Sequence, residues 1–334
     1  MIRRLAFSLL TVLLVSVMAA CSSSDGSDDG SITLQLGHEL PENTPASDAI
    51  EEMAESVAEK TDGRVTFEVF PNDQLGNASE LLEQMNLGTT DAAGLMVGSM
   101  QTLDKRLAIE DLPYMFKDKE HARAAYKGEF GDAIADIVAE EGLTVFGLLE
   151  WGFRHITNNK NPIVEPEDME GLNIRVAEAE LRVDAFEEIG AIPTVVAFSE
   201  LYGGLQQGVV DAQENPLSSI VSSKFYEVQD YLSLTGHFYN TVVLSVVTEE
   251  WDKISEEDQD IILKETERIQ AKVEQKNDEN EEGYLQELKE NGMEINDNVN
   301  KEAFREKASS VYDKWEAEVF GEELMDVYRE ASGW

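Results

Sequence analysis

From Ile32 the chain alternates apolar and polar residues, Ile32-Thr33-Leu34-Gln35-Leu36, as a strand with one buried face does. Positions 44–61 switch to helical spacing, with Ala49, Ile50, Met53 and Val57 on one face, and Asp62-Gly63 ends the run. Alternation returns over 64–70 and stops at Pro71. Strand, helix, strand is the unit that builds parallel sheets. A helix is predicted over 78–87, closed by Gly88, and an apolar segment follows at 92–97. Residues 118–141 read as largely helical and 143–149 as a buried strand.

A second group of elements begins near Gly152. A strand is predicted over 171–176, a helix over 179–189 ended by Gly190, and a short strand at 195–197. A helix over 199–207 with Ser199 as N-cap and a strand at 209–212 follow. Residues 239–247 form a long apolar strand. Ser255-Glu256-Glu257-Asp258 has the form of a capping box. The helix behind it extends to Glu290, a span of about 50 Å at 1.5 Å per residue. Gly283 is a candidate break, and without one a helix of this length ties two lobes together. A last amphipathic helix is predicted over 301–312, with further helix to 328.

The N-terminus follows a different pattern. Met1-Ile2-Arg3-Arg4 precedes an apolar run to Ala20, then Cys21, the single cysteine of the chain. Charge, a short apolar stretch and small residues make a secretory signal, since a membrane span takes roughly 20 apolar residues. Val17-Met18-Ala19-Ala20-Cys21 resembles a bacterial lipobox, and Ser22 to Gly30 reads as a polar tether. The expectation is a signal over 1–20, a lipid on Cys21, a tether over 21–30, and a domain held extracytoplasmically at a membrane surface.

About 300 residues remain, enough for two lobes. With 68 acidic and 26 basic residues the formal charge is −42, and losing Arg3 and Arg4 makes it −44. Such acidity excludes nucleic-acid partners and docking on anionic lipid by charge. The acids lie on every polar face, as a solvated coat for salty surroundings does. His38, His121, His155 and His237 are widely spaced, and no zincin, zinc-finger, Walker, dinucleotide-binding or serine-hydrolase motif is present. No cofactor, metal or enzymatic activity is expected. With so many carboxylates, a pair of them says nothing about acid–base chemistry.

In so acidic a chain an arginine within an apolar segment stands out. Arg175 lies between Ile174 and Val176, on the opposite strand face, and from there can hold a carboxylate bidentately. Arg154, in Trp151-Gly152-Phe153-Arg154-His155, follows a buried strand. For either arginine an ordinary salt bridge is the simpler reading. Asn215, in Gln213-Glu214-Asn215-Pro216, can donate to a ligand oxygen or serve as a turn residue. Phe198 can cover a ligand face or pack in the core.

Together these segments resemble the extracytoplasmic solute-binding subunits of TRAP transporters, the DctP-like family. The matching stretches are Phe70 to Gly76, Gly152-Phe153-Arg154, Gly171 to Val176, Ala197 to Tyr202, Leu205 to Asp211, Gln213 to Pro216 and Lys224 to Gln229, in the expected order through nearly all of the mature chain. The resemblance implies an α/β, two-lobed periplasmic-binding-protein-like fold with crossing strands and a long helix linking the lobes. We expect one lobe from 31–152 with 241–280 and the other from 153–240 with 281–334.

The resemblance also implies that Arg175 pairs with the ligand carboxylate, with Arg154, Asn215 and Phe198 beside it. His38 and the 94–99 loop, with Met96, would face them from the other lobe. Where some sialic-acid binders present an acid, this loop has Leu95, Met96 and Val97. The expected ligand is a sugar acid such as a uronate, or a C4-dicarboxylate, captured by cleft closure and delivered to TRAP membrane permease subunits. The alternative is a ligand-sensing subunit for a membrane receptor using the same cleft; a secreted enzyme is a remoter one.

Overall fold

The computed structural model describes residues 31–332, so the expected signal over 1–20, Cys21 and the expected tether over 21–30 lie outside the described residues. Among the described residues, ten strands and twelve α-helices follow in chain order. They are β1 (Ile32–His38), α1 (Pro45–Lys60), β2 (Val65–Phe70), α2 (Ala78–Asn86), β3 (Ala92–Met96), α3 (Lys119–Tyr126), α4 (Glu129–Glu140), β4 (Leu143–Asn158), β5 (Asn173–Val176), α5 (Glu180–Ile189), β6 (Ile192–Val195) and α6 (Phe198–Gln206). The chain continues with β7 (Ala212–Pro216), α7 (Leu217–Ser222), β8 (Tyr231–Ser233), β9 (Tyr239–Val247), α8 (Thr248–Trp251), α9 (Glu256–Glu290), β10 (Glu294–Asn296), α10 (Lys301–Lys307), α11 (Ser309–Trp315) and α12 (Gly321–Ser332).

Strand order is β2-β1-β3-β9-β4-β7-β5-β6. The first half is β1 flanked in parallel by β2 and β3, with β9 antiparallel to β3. The second half is β5 flanked in parallel by β6 and β7. One strand joins them. β4 runs for 16 residues, pairing with β9 from Leu143 to Phe153 and with β7 from Arg154 to Asn158. The sequence pattern ends this strand at 149 and starts a new group at Gly152. In the structure Gly152 takes φ +110° at a register shift between Glu150 and Gly152, so the strand turns without ending. The glycine provides a bend that an L-residue resists.

Further predicted elements shift, among them the strand expected at 195–197, which lies at Ile192–Val195. The strand expected at 209–212 is instead Ala212–Pro216, and all five of its residues are buried. Its polar residues conceal it from a search for apolar alternation. The helix expected to be capped by Ser199 begins at Phe198 with Ala197 at the N-cap and no side-chain cap. The expected helix over 301–312 is two short helices, α10 and α11.

α9 is continuous for 35 residues, capped by the Ser255 hydroxyl accepting from the Asp258 amide at 3.2 Å. Ile262, Thr266, Ile269 and Val273 are buried at helical spacing, and Leu288 near its end enters a separate core with Leu201, Leu205 and Phe225. The helix therefore lies against α1 at one end and α7 and β10 at the other. Glu265 fixes the first contact, bonded to Lys60, to Ser56 at 2.7 Å and to Arg268 at 2.8 Å. α12, at the end of the segment 281–334 that we expected in the second lobe, packs against α3 and α4 of the first.

Gly283 does not break α9, and a Cβ added there meets nothing within 4 Å. Gly283→Ala should therefore raise stability by about 1 kcal/mol through helix propensity alone. A urea titration showing an unchanged or lower midpoint would mean that this turn of α9 is already free to unravel.

Candidate ligand-binding site

The site forms where β4 passes from one half to the other. Ile174 and Val176 of β5 are fully buried in the core, so alternation turns Arg175 to the opposite side. There Arg175 is only 3 % exposed. Its Nε donates to the Val196 carbonyl at 2.7 Å, and its guanidinium carbon lies 5.8 Å from the Phe198 ring centroid. Among the described residues no carboxylate comes within ion-pair distance of it, and its two terminal nitrogens make no hydrogen bond. Burial pulls its pKa down to about 10, against the opposing pull of Glu214.

Arg154 and a residue not singled out in the sequence, Arg182 on α5, are buried beside it but are paired. Arg154 donates through Nε and Nη2 to Glu214, and Nη2 also reaches Asn215 Oδ1 at 3.0 Å. Arg182 donates to Asp111 at 2.7 Å, to Asn240 Oδ1 at 2.8 Å and to Glu214 at 3.3 Å. His237 Nε2 stands 3.3 Å from Glu214. Burial pushes the Glu214 carboxyl up, but the Arg154 and Arg182 charges prevail and hold it well below the usual carboxylate range. Arg154 thus already has a carboxylate partner, and only its Nη1, 3.7 Å from Met96 Sδ, faces away from it.

The other predicted residues fall around this cluster. Asn215 is fully buried; its Nδ2 donates to Gln213 at 2.6 Å. Phe198 is half-buried and meets Phe225 edge-on at 6.1 Å. Met96, at the end of β3, places its sulfur between Arg154 and Arg182. His38, at the end of β1, is fully buried with neither ring nitrogen hydrogen-bonded, and burial lowers its pKa to about 4.

Two acids complete the site, and sequence reasoning did not find them. Glu39 accepts from the Met96 amide at 2.6 Å and from Ser99 Oγ at 3.3 Å, and burial pushes it up to about 7. Asp73, at φ 59° in the loop after β2, is raised to about 6 by burial, with Arg175 pulling it back. The two halves also touch across the mouth of the cleft. Gln101 Oε1 accepts from the Glu180 amide at 2.6 Å, Lys105 pairs with Glu180 at 2.8 Å, and Ser79 donates to Glu178 at 3.3 Å.

A cleft closed between two halves over a buried, unpaired guanidinium makes a receptor for a small anionic solute. The chain belongs to the bacterial extracellular solute-binding proteins, family 7, whose family profile matches residues 36–318. It is 33 % identical over 300 residues to a solute-binding protein of Verminephrobacter eiseniae, covering 90 % of this chain and 89 % of that one. It superposes with a TM-score of 0.84 on a TRAP periplasmic solute-binding protein of Polaromonas sp. JS666 bound to D-erythronate, at 33 % identity over 89 % of this chain and 98 % of that one. A TRAP periplasmic solute-binding protein of Sulfurospirillum deleyianum with bound succinate gives 0.83, at 29 % identity over 90 % and 99 %. The protein is an extracytoplasmic solute-binding protein with the two-lobed fold of these subunits. No helix among the described residues is long and apolar enough to cross a membrane.

The raised pKa of Glu39 gives the fold a pH signature. A carboxyl whose folded pKa lies above its unfolded value contributes stability below the unfolded pKa and loses it as pH rises through the folded one. The window here runs from about 4.5 to about 7. Glu39→Gln keeps an acceptor for the Met96 amide and removes the titration. Its melting temperature relative to the parent should therefore climb between pH 5 and pH 8, by the equivalent of roughly 2–3 kcal/mol. A difference that stays flat with pH in differential scanning calorimetry rules this out.

Proposed function

We propose that this protein captures a hydroxylated organic acid of the sugar-acid class and presents it to the membrane permease of a TRAP transporter. The observation that carries this reading is Arg175, buried without a carboxylate partner. A ligand carboxylate completes its planar fork, and Phe198 covers the guanidinium face. Asn215 and the Nη1 of Arg154, whose contact is the Met96 sulfur, extend the donor side from β7 and β4.

The opposite side favours a sugar acid over a C4-dicarboxylate. Glu39 and Asp73 both lie within electrostatic range of Arg175. Hydroxyl groups donate to such carboxylates, whereas a second ligand carboxylate is repelled by them. His38 adds an unfilled hydrogen-bonding side chain on this side.

The two halves hinge where β4 and β9 cross between them, near 152–153 and 240–241. Closure over the ligand removes water from the Arg175–carboxylate pair and strengthens it. The loaded, closed form is the one the permease reads. A lipid on Cys21 and the tether behind it hold the protein beside that permease.

Arg175→Lys should weaken sugar-acid binding at least tenfold, because an ammonium cannot reproduce the bidentate fork. Titration calorimetry with D-glucuronate, D-erythronate and succinate measures this and ranks the ligand classes. An unchanged affinity removes Arg175 from the site, and a preference for succinate overturns the role given to Glu39 and Asp73. The acidic coat should also retard anion capture at low ionic strength, so stopped-flow association should accelerate as salt is raised. A rate that falls steadily with salt contradicts this.

A further inference from the structure

A cavity of about 450 Å³ opens away from the Arg175 side chain, which is not among its lining residues. Its walls come from the segment leading into α3, the bend of β4, the start of α7, the 234–236 loop, the C-terminal third of α9 and α10. Most of its lining is apolar, with Phe116, Trp151, Phe153, Leu217 and Leu285 among the contributors. The volume falls within the usual range for small-molecule sites, roughly 300–1,000 Å³.

The polar part of this lining is unlike the rest of the protein. In a chain with 68 acids and 26 bases, four Lys or Arg side chains line the cavity against three glutamates. Two of those glutamates are already engaged. Glu150 accepts from Arg123, Tyr239 and Asn277, and Glu281 is paired with Lys119. Lys301 has no ion-pair partner among the described residues, and its Nζ sits over Gly236, 3.0 Å from where a Cβ would stand. His155 meets the same glycine. Its Nδ1 accepts from the Gly236 amide at 3.1 Å, so the neutral ring carries its proton on Nε2, which makes no hydrogen bond among the described residues. Burial, together with the nearby Lys301 and Lys119 charges, keeps that ring neutral.

We propose that this cavity is a second ligand site, for a small organic monoanion with a flat apolar body, its charged head on Lys301 and the His155 Nε2–H and its body against Trp151 and Phe153. A free ammonium beside a fixed neutral donor, at one end of an aromatic-walled cavity, suits a carboxylate joined to a ring. The two sites share a wall. The Arg154 guanidinium lies 5.4 Å from the centroid of the Trp151 ring, and Trp151 lines the rear cavity. The proposal does not rest on which acid the front cleft takes.

Calorimetric titration of the full chain with phenylacetate, and separately with indole-3-acetate, tests it. We expect one equivalent of at least one of them to bind, with affinity retained in Arg175→Ala, in which the front cleft lacks its guanidinium. Lys301→Gln should weaken that binding at least fivefold, and Leu285→Trp, which fills the cavity, should abolish it. Lys301→Gln changes a side chain without a partner and keeps the test valid if the larger substitution unfolds the protein. Absence of binding by both acids overturns the proposal. Loss of binding in Arg175→Ala does so too, by placing the acid in the front cleft, as does an affinity unchanged in Lys301→Gln.

Discussion

Three buried arginines and two carboxylates in ion-pair contact with them set the terms for this molecule. Arg154, Arg175 and Arg182 lie within one polar cluster, and Glu214 and Asp111 pair with only two of them. Taking a guanidinium out of water costs several kcal/mol unless a counter-charge and hydrogen bonds replace the water. Arg154 and Arg182 meet that condition inside the protein. Arg175 meets it only in part, through one carbonyl and the face of Phe198. On the proposed reading, a ligand carboxylate would supply the missing counter-charge, and would do so most fully in the closed state. That difference between states is what a binding protein needs in order to close on its solute rather than on water.

The fold exists around this cluster. Arg154 and Asn215 stand on adjoining strands, where Arg154 is in register with Pro216 and His155 with Asn215. Met96 comes from the other half, at the end of a strand paired with β9. Asp111 reaches Arg182 from the first half of the chain to the helix after β5, so a pair inside the cluster also crosses between halves. β4 alone pairs in both sheets, so under the proposed hinge a small rotation at its bend would move Met96 and Glu39 relative to Arg175 without breaking either sheet. α9 limits that rotation, since it is anchored by Glu265 at one end and Leu288 at the other.

Much of this was legible in the sequence, and the parts that were not have a common cause. Periodicity found β1, α1 and β2, where one face is apolar and the other is not, and a capping box marked the start of α9. Arg175 stood out because a charge interrupts an apolar strand in a chain this acidic. Arg182 gave a similar signal, lying one turn before Phe186 on the buried side of α5, but helices tolerate arginine on their margins and the signal was weaker. β7 was misplaced because it buries Gln213, Glu214 and Asn215, and a strand whose inward residues are polar has no apolar alternation to find. Glu39, Asp73 and Asp111 were invisible for a statistical reason: among 68 acids, residue type alone marks none of them.

An acidic protein that binds an acid looks paradoxical until the ranges of the forces are compared. The coat acts through water, where ions screen charges beyond roughly 8 Å at physiological salt. Arg175 acts at contact distance in a region closed to water, where the same unit charge is worth several times more. The surface therefore governs how often an anion reaches the cleft, and the buried cluster governs whether it stays. In the proposed site Glu39 and Asp73 would sharpen the second step, since carboxylates raised toward neutrality by burial accept hydroxyl hydrogen bonds but resist a second negative charge. On the proposed reading, selectivity among organic acids follows from one unpaired guanidinium and the acids set opposite it, independent of the charge of the whole.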